Sequence, residues 1–307
     1  MSDTNGAGRS LTLTIVGCGT LSKAIISGML KSGNTNPKSV LLLPTHLIAC
    51  VTRESSANSV QEALGPLTTN LKILQNGNLE GVREADVVLL GCKPQMVGQI
   101  LSENGMSEAL EDKLFISILA GVPIRQIQDI LTNNGTRPQS QPTKIVRVMP
   151  NTASAIGESM SVITSSPGLP KELDEFVTWM FDSIGRTVKL PENLMDVSTA
   201  LCGSGPAFFS LMLESMIDGA VAMGLPRKEA QMMAAQTMKG AAGLVLQGEH
   251  PALLRDKVST PGGCTIGGLL VLEEGRVRGN VARAVREATV VAEQLGRGVT
   301  GVNGTRF

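Results

Sequence analysis

The sequence predicts an α/β protein in which an N-terminal domain with a doubly wound parallel sheet is followed by an all-helical C-terminal domain. Three observations support this prediction. A β-prone run ends at a glycine turn and leads into a helix, strand and helix patterns then alternate up to Lys189, and strand patterns disappear from Pro191 onward. The 307 residues are enough for two domains. We therefore predict domains at residues 1–190 and 191–307.

The first β-α unit has the clearest pattern. Leu11–Val16 is an apolar, β-prone run that ends at a glycine, and Leu21–Leu30 has apolar residues at helical spacing. A second strand is predicted within Val40–Val51. Because Pro44 interrupts this run, the alternative is an insertion followed by a shorter strand at Leu47–Val51.

The alternation of strands and helices continues along the chain. Strands are predicted at 71–74, 86–92, 114–119 and 144–149, and two final strands at 159–164 and 186–189. Helices are predicted at 60–64, 78–84, 96–102, 107–111, 124–131 and 171–183. Units of this length indicate parallel crossover connections. The polar stretch Asn133–Pro142 is typical of a surface loop.

The second domain has helical periods joined by glycine-rich segments. Its predicted helices cover 192–201, 207–223, 227–247, 266–274 and 277–295. Small and apolar residues on these helices form a larger apolar surface than one small domain can easily bury. They are Met216, Ala220, Met232, Met233, Ala234, Ala235, Met238, Ala241 and Ala242. The alternative is an ordinary helical core. We favour packing against a second copy, since twofold homodimers are the commonest oligomers.

Charge and hydropathy limit the kinds of partner. The 27 Lys and Arg residues balance 27 Asp and Glu residues, so no basic face for nucleic acid is predicted. Lys, Arg, Gly and Pro interrupt every apolar run before the roughly 18 to 20 residues that a membrane span needs. Residues Met1–Ser10 lack the apolar stretch of a signal peptide. We therefore expect a cytoplasmic protein without a membrane partner.

The numbers of cysteine, tyrosine and histidine residues limit the kinds of catalytic and metal site that the sequence can form. The five cysteines are scattered, odd in number and never spaced as Cys-x-x-Cys, which argues against a disulfide framework and a zinc site. We expect reduced thiols and no metal. The sequence contains no tyrosine and only two histidines, His46 and His250. A Tyr-Lys proton relay is therefore excluded, and any histidine base would be one of those two.

The glycine turn after the first strand predicts a Rossmann-type dinucleotide site. Gly17 permits the turn, Gly19 lets the backbone approach a pyrophosphate, and Ser22 stands where a third glycine is usual. Amides near Thr20 and Leu21 would face the phosphates at the positive end of the helix dipole. The alternative is a purely structural strand-to-helix turn.

The end of the second strand bears on the choice of cofactor. A carboxylate there suits a ribose 2′-hydroxyl, whereas a cation with hydroxyls suits a 2′-phosphate. Thr52 and Arg53 favour NADPH, and Glu54 keeps NADH open. The alternative for Arg53 is a surface salt bridge.

Three further strand ends are expected at the same carboxyl edge of the sheet. They are Cys92-Lys93-Pro94, Ala120-Gly121 and Met149-Pro150-Asn151-Thr152. Loops at this edge bind ligands in such folds, so Cys92, Lys93, Pro94, Ala120 and Asn151 are candidate cofactor contacts. Lys93 is assigned to the ribose or nicotinamide rather than to catalysis. The alternative is a solvated strand end.

The helical domain contains the parts of an anion site. The segment Thr260–Ile266 combines glycines, two threonine hydroxyls and consecutive amides at a predicted helix N-terminus. A substrate carboxylate would fit such a cradle. A capped structural turn is the alternative.

Taken together, these segments resemble the pyrroline-5-carboxylate reductase family from about Leu13 to Leu295. The resemblance rests on Gly17-x-Gly19 with Ala24, Cys92-Lys93-Pro94, Ala120-Gly121, Met149-Pro150-Asn151-Thr152, Gly203-Ser204-Gly205-Pro206-Ala207 and Met223-Gly224-Leu225-Pro226. The most specific motif is Ser259-Thr260-Pro261-Gly262-Gly263-Cys264-Thr265-Ile266, with Leu272-Glu273 beyond it.

The resemblance implies an NAD(P)H-dependent oxidoreductase that transfers a hydride to the cyclic imine 1-pyrroline-5-carboxylate and forms L-proline, the last step of proline biosynthesis. It implies that the substrate carboxylate and ring nitrogen are held by Thr260, Gly262, Gly263, Cys264 and Thr265. Since a cyclic imine can already carry a proton near neutral pH, no tyrosine or histidine acid is required. We hypothesise that Thr265 orients the imine and assists proton delivery.

The resemblance also implies further residues and partners. Asn78 matches an asparagine that contacts the cofactor in the family. Glu249 is a candidate catalytic residue, in a segment that is shifted by one position relative to the family pattern. The implied partners are the small-molecule substrate and a second copy of the chain. The two copies would form a homodimer with interlocked helical domains, and such dimers would assemble further into a decamer. The cofactor expected is NADPH, with NADH as the alternative.

Two other functions remain open from the sequence. One is another imine reductase or a hydroxyacid reductase of the same two-domain plan. A β-hydroxyacid dehydrogenase would carry a catalytic lysine on the interdomain helix, and Glu192–Leu201 contains none. The other is a nucleotide-sensing homologue that has lost catalysis, against which the intact Thr260–Thr265 segment argues.

Overall fold

The computed structural model describes residues 11–33, 44–135, 142–297, 299 and 301–302. The chain forms two compact units, one of residues Met1–Gly203 with Ala288–Phe307 and one of residues Ser204–Glu287. The division falls at Gly203, beyond the predicted boundary at residue 190. Met195 explains this difference, because it is fully buried in a small cluster with residues of the sheet.

Within the described residues, eight strands form one sheet in the first unit. They are β1 (Leu11–Val16), β2 (Pro44–Val51), β3 (Leu71–Gln75), β4 (Val87–Leu90), β5 (Leu114–Ser117), β6 (Lys144–Met149), β7 (Ser159–Ser165) and β8 (Gly185–Lys189). Their order is β3-β2-β1-β4-β5-β6-β7-β8. The order reverses at β1, which pairs with β2 on one side and β4 on the other. This reversal defines the switch point of a doubly wound sheet.

The prediction of a parallel sheet is confirmed for β1 to β6, whose neighbouring strands all pair in parallel. It is wrong for β7, which pairs antiparallel to β6, while β8 runs parallel to β7. Only residues 150–158, including a 3-10 turn at Thr152–Ile156, connect β6 to β7. That connection is too short for a crossover, so the chain turns back on itself.

Helices cover both faces of this sheet. They are α1 (Thr20–Gly33), α2 (Glu54–Leu64), α3 (Asn78–Glu84), α4 (Val97–Leu101), α5 (Met106–Ala109), α6 (Ile124–Asn134), α7 (Lys171–Asp182) and α8 (Met195–Ser198). One apolar core lies under α1, α2 and α7, and a second lies under α3 to α6. Side chains alternate between the two cores along β4, where Leu89 joins the first and Val88 and Leu90 join the second.

Most predicted element bounds are close to the observed ones, with four points of difference. The helix predicted at 60–64 covers only the second half of α2, which begins at Glu54. Pro44 is the first residue of β2, a position where a missing backbone donor is tolerated. Residues 40–43 of the longer predicted strand, and 136–141 of the predicted loop, lie outside the described residues. The predicted helix at 192–201 is a 3-10 turn followed by α8 and a π-helical turn, Thr199–Gly203.

The second unit is helical throughout its described residues. It contains α9 (Gly205–Ala222), α10 (Arg227–Leu246), α11 (Pro251–Val258), α12 (Cys264–Glu274) and the start of α13 (Val277–Gly296). Helix α11 was not predicted from the sequence. It begins with Pro251 at its first position, and His250 caps it because its Nδ1 accepts a hydrogen bond from the Ala252 amide at 3.3 Å. No side chain of α12 is buried, although the helix is rich in Leu, Ile and Val.

The end of α13 belongs to the first unit. There the backbone of Gly296 lies against that of Gly121, which follows β5 with a φ of +72°. A β-carbon at Gly121 would come within 2.9 Å of the Gly296 amide nitrogen. Glycine at this position therefore permits a direct backbone contact that a side chain would prevent.

Candidate active site

A cleft of about 490 Å³ opens at the carboxyl edge of the sheet, where β1 and β4 lie side by side. Its wall is formed by residues at or just after the carboxyl ends of β1 to β4, including the first turns of α2 and α3, and by residues in or beside α4. They are Val16, Gly17, Cys18, Gly19, Cys50, Val51, Thr52, Ser56, Asn76, Asn78, Gly91, Cys92, Lys93, Met96, Gln99, Ile100 and Glu103. Doubly wound sheets bind ligands at this place in the fold.

The turn after β1 is held tightly against the end of β4. Gly17 has a φ of +84°, and a β-carbon there would lie 2.7 Å from the Cys92 amide nitrogen. The amides of Gly17 and Cys18 donate to the Cys50 carbonyl oxygen at 3.1 and 3.3 Å. Ser22, in place of a third glycine, donates its hydroxyl to the Gly17 carbonyl oxygen at 3.1 Å. The serine therefore closes the turn that the glycine permits.

Gly19 differs from Gly17 because the space beside it is open. A β-carbon at Gly19 would meet no protein atom within 4 Å, and α1 begins at the next residue, Thr20. The first amides of α1 have no partner within the helix. This combination of open space and free amides fits the pyrophosphate of a dinucleotide, as the sequence predicted.

The end of β2 places a cation beside the cleft. Thr52 and Ser56 line the cleft, and Arg53 is the exposed residue that precedes α2. Within the described part of the chain Arg53 forms no ion pair, so the surface salt bridge weighed in the sequence analysis is not found. Glu54 is the first residue of α2.

The other predicted cofactor residues divide into two groups. Asn78, Cys92 and Lys93 line the cleft together with Gly17, Gly19 and Thr52. Thr20, Leu21, Arg53, Pro94, Ala120 and Asn151 are not part of its wall. Both polar groups of the Asn151 side chain already have protein partners, since Nδ2 donates to the Cys202 carbonyl oxygen at 3.1 Å and Oδ1 accepts from the Ala153 amide at 3.0 Å.

Some residues of the cleft were not singled out from the sequence. Asn76 follows β3 with a φ of +55°, and the rule that strand ends carry the site could have found it. Met96, Gln99, Ile100 and Glu103 come from or flank α4. No motif marks these four, and only the packing of α4 beside β4 brings them to the cleft.

Three neutral thiols line the same cleft. Burial raises the pKa of Cys18 and of Cys50 to about 12, and burial raises the pKa of Cys92 to about 11. All five cysteines are free. Among the described residues no group of three or more His, Cys, Asp or Glu side chains could hold a metal ion. The thiols are therefore packing groups at neutral pH rather than nucleophiles.

The second unit holds the predicted substrate residues in a tight turn. The Gly263 amide donates to the Thr260 carbonyl oxygen at 3.0 Å, and Gly262 has a φ of +67°. With Pro261 in second place this is the pattern of a type II turn. A β-carbon at Gly263 would lie 2.4 Å from Thr260 Oγ1, so the hydroxyl fills the turn. Gly262 is needed for its positive φ, and a side chain at Gly263 would displace the Thr260 hydroxyl from the turn.

The turn leads directly into α12. Gly263 precedes the helix and offers no side-chain cap, so the amides of Cys264 and Thr265 in the first helical turn are open to a ligand. Cys264 is exposed and Thr265 is half-buried. Amides and hydroxyls at the positive end of a helix form a cradle for a carboxylate.

Glu249, the second candidate catalytic residue, lies in an ion pair. Both of its carboxylate oxygens are 2.7 Å from Lys257 Nζ, across the ends of α11. The pair is within the second unit and largely exposed. Among the described residues Lys257 is the side chain that pairs with Glu249, and the catalytic role of Glu249 stays a prediction.

The first unit has a Rossmann-type cleft at the switch point of its sheet, and the helical unit of the same chain has an anion cradle. These two features define the class of the protein as an oxidoreductase that uses a nicotinamide dinucleotide. Comparison with known proteins agrees. Residues 12–121 match the family model "NADP oxidoreductase coenzyme F420-dependent", and residues 192–295 match "Pyrroline-5-carboxylate reductase dimerisation".

Relatives over the full length identify the family. The chain is 59% identical to a pyrroline-5-carboxylate reductase from Lophium arboricola, covering 100% of each chain, and 53% identical to one from Neurospora crassa, covering 96% of each. A crystal structure of Plasmodium falciparum pyrroline carboxylate reductase with NADP bound superposes with a TM-score of 0.77 at 28% identity, covering 95% of this chain and 100% of that one. The chain belongs to the pyrroline-5-carboxylate reductase family, and the resemblance inferred from the motifs is confirmed.

The match of residues 192–295 to the dimerisation family model explains why apolar residues of the helical unit are exposed. Large apolar side chains are exposed along α9, α10 and α12: Phe209, Leu211, Met216, Met223, Met232, Met233, Leu244, Leu246, Leu270, Val271 and Leu272. Only Ala230 and Ala234 are buried in α10. A single chain therefore leaves this surface uncovered, and the dimerisation domain supports a homodimer.

One helical stretch contradicts a sequence expectation. Among the described residues, Glu192–Ala222 passes the test for a membrane-spanning helix by length and composition only, because an 18-residue window within it has a mean hydropathy of 1.3. The expectation that no such stretch exists was wrong because glycines and prolines lower the mean less than the apolar side chains raise it. The stretch lies inside the dimerisation match.

Proposed function

We propose that this protein reduces 1-pyrroline-5-carboxylate to L-proline with a hydride from NADPH, as the last step of proline biosynthesis. The observation that carries the proposal is 59% identity along the whole chain with a reductase of that name. The cleft at the switch point and the Thr260–Thr265 cradle supply the two binding functions that the reaction requires.

The chain's own residues have separate roles in this proposal. The Gly17–Gly19 turn and the first amides of α1 would hold the pyrophosphate, and the bound dinucleotide would supply the hydride. The amides and hydroxyls of the Thr260–Thr265 segment would hold the substrate carboxylate. The hydride adds to the imine carbon while the nitrogen retains the proton that makes it an iminium, so the product is a neutral ring amine before it takes up a second proton. Thr265 would orient the imine nitrogen.

NADPH is proposed over NADH because of the residues after β2. Arg53 has no carboxylate partner in the described part of the chain, and the hydroxyls of Thr52 and Ser56 line the adjacent wall. A free guanidinium beside hydroxyls suits a 2′-phosphate. The carboxylate of Glu54 is the group that would favour NADH.

The assay that tests the function follows nicotinamide absorbance with purified protein. Pyrroline-5-carboxylate and a larger cyclic imine are compared with NADPH and with NADH, and a β-hydroxyacid, which would be oxidised, is tested with NADP+ and with NAD+. We expect the highest kcat/KM for pyrroline-5-carboxylate with NADPH and formation of proline. Faster turnover of another substrate would support a different reductase of the same plan, and cofactor binding without turnover would support a sensing protein.

We also propose the assembly and location of the protein. The apolar stretch Glu192–Ala222 would lie in the homodimer interface rather than in lipid, and dimers would assemble further into a decamer. Sedimentation equilibrium without detergent tests both points, since a monomer or a species that associates with vesicles would contradict them. The cytoplasm is the proposed compartment, which fractionation of cells producing the protein would check.

A further inference from the structure

Arg147 is a charged residue in the middle of a buried strand. Only 2% of the residue is exposed, and its neighbours along β6 are Ile, Val and Met. In the sheet it lies between Ser117 of β5 and Thr164 of β7. A buried charge carries a large desolvation cost. Its presence here therefore requires an explanation beyond packing.

The guanidinium has two carboxylate partners at long range. Nη1 lies 3.6 Å from Glu192 Oε1, and Nη2 lies 3.4 Å from Asp196 Oδ1. Arg147 Nε is buried and has no hydrogen-bond partner among the described residues. Only the arginine is buried, since the side chains of Glu192 and Asp196 are 35% and 33% exposed, and pairs at these distances are weak evidence for a stabilising role. Both carboxylates also belong to segments that contact loops at the edge of the sheet.

Glu192 holds the start of a helix as well as the arginine. Its Oε1 accepts a hydrogen bond from the Ile124 amide at 2.6 Å, and Ile124 is the first residue of α6. The segment just before α6, residues 120–123, follows β5 at the carboxyl edge of the sheet. Glu192 thus satisfies an amide that α6 leaves open and ties this loop to Arg147.

Asp196 connects the arginine to a second loop at the same edge. It lies in α8, which continues into the π-helical turn Thr199–Gly203. The Cys202 carbonyl oxygen in that turn accepts from Asn151 Nδ2 at 3.1 Å, and Asn151 follows β6. Through its two carboxylates, Arg147 is therefore linked to the loops that follow β5 and β6.

We propose that Arg147 is a positioning residue for cofactor binding. By pairing with Glu192 and Asp196, whose side chains are 35% and 33% exposed, it fixes the loops at residues 120–123 and 150–152. These loops follow strands at the same carboxyl edge of the sheet as the cleft, and a dinucleotide that extends along this edge beyond the cleft would meet them. The role is indirect, since neither Arg147 nor these loops line the cleft. This inference rests on the proposed function for the identity of the cofactor.

The test compares Arg147→Met, which keeps the side-chain volume without the charge, with Glu192→Ala and Glu192→Gln. Gln keeps an oxygen that accepts from the Ile124 amide, whereas Ala removes it. We expect Arg147→Met and Glu192→Ala to raise the KM for NADPH about tenfold, the size of one lost hydrogen bond to a charged group. The kcat should change by less, and Glu192→Gln should restore most of the affinity. Glu175→Gln, which removes the carboxylate of an exposed ion pair on α7, is the matched control.

Hydrogen exchange supplies a readout that does not need catalysis. The Ile124 amide should exchange faster in Glu192→Ala and at the wild-type rate in Glu192→Gln. Equal exchange and equal NADPH binding in wild type, Arg147→Met and Glu192→Ala would overturn the inference. Should Arg147→Met fail to fold, the two Glu192 variants decide between these outcomes. Absence of turnover in the wild type would count against the proposed function alone, because exchange and NADPH titration would still test the positioning role.

Discussion

Gly17 passes so close to Cys92 that a β-carbon on Gly17 would lie 2.7 Å from the Cys92 amide nitrogen. The contact joins the ends of β1 and β4, the two strands at the switch point of the sheet. Both residues also line the candidate cofactor cleft. The same contact therefore stabilises the fold and shapes the site, and the two effects can be separated by substitution.

We expect Gly17→Ala to destabilise the protein by about 1 to 3 kcal/mol, since alanine disfavours a φ of +84° and its methyl group meets backbone. Gly19→Ala should leave the free energy of unfolding almost unchanged, because a β-carbon there meets no protein atom. It should nevertheless weaken NADPH binding by filling the space beside the pyrophosphate. Urea unfolding and fluorescence titration with NADPH measure the two quantities. Tight NADPH binding by Gly19→Ala would contradict the assignment of this space to the cofactor.

Arg53→Ala should raise the KM for NADPH about tenfold or more, the size of a lost charge-assisted hydrogen bond, and leave the KM for NADH nearly unchanged. Glu54→Gln, at the next residue, is the control. If Arg53 contacts the 2′-phosphate, only its removal reduces the NADPH preference. Parallel losses with both cofactors in Arg53→Ala would show that the residue supports the loop instead.

Thr265→Val removes a hydroxyl at nearly constant volume, and Thr265→Ser retains it. We expect Thr265→Val to lower kcat about tenfold to hundredfold, because an orienting hydrogen bond to the reacting nitrogen is lost, whereas Thr265→Ser should keep most of the activity. NADPH affinity should stay close to the wild-type value. Single-turnover rates and cofactor titrations check these expectations. Normal turnover in the valine variant would exclude a role for this hydroxyl in the reaction.

The Glu249–Lys257 ion pair allows the proposed catalytic glutamate to be tested against a structural role. An exposed pair contributes about 0 to 1 kcal/mol, so Glu249→Gln and Lys257→Met should have similarly small effects on unfolding. If Glu249 acts in the reaction, only Glu249→Gln lowers kcat. Equal activity of both variants would reduce Glu249 to a partner of Lys257. Steady-state kinetics with both substrates varied makes the comparison.

The buried thiols predict how stability depends on pH. The pKa of Cys18 and Cys50 is about 12 in the folded protein, against an ordinary value of 9.0. The folded state therefore binds these protons more tightly, and the stabilisation is complete below about pH 9 and is lost as the pH rises toward 12. Urea unfolding midpoints should fall in this window. The fall should be smaller in a Cys18→Ser, Cys50→Ser double variant, which has no thiols to ionise at these positions. An identical pH dependence in the double variant would contradict this explanation.

Local patterns predicted most of the first unit well. The bounds of β1, α3 and β6 agree with those expected from the sequence, because each has a period and a terminator within a few residues. The unpredicted α11 has no strong apolar stripe, since it buries no side chain. Its signal was the Pro251 at its first position, which a search for hydrophobic periods does not detect.

The candidate site was predictable where a residue follows a strand in a doubly wound sheet. Gly17, Thr52 and Cys92 were found by this rule. Gln99 and Glu103 were not, because they reach the cleft only through the packing of α4. Asn151 satisfied the rule, yet both polar groups of its side chain have protein partners. Strand ends thus identify the loops of a site but not the direction of each side chain.

The sequence by itself determined the alternation of elements, the glycine turn and the motif that marks the family, since these depend on neighbours in the chain. Only the tertiary structure decided that β7 turns back, that Gly17 touches Cys92 and that Arg147 lies between Glu192 and Asp196. The physical reason is that the contacts of Gly17 and Arg147 join segments distant in sequence, while the direction of β7 depends on the strand with which its residues pair. Their geometry depends on how the sheet is assembled, and no local propensity encodes it.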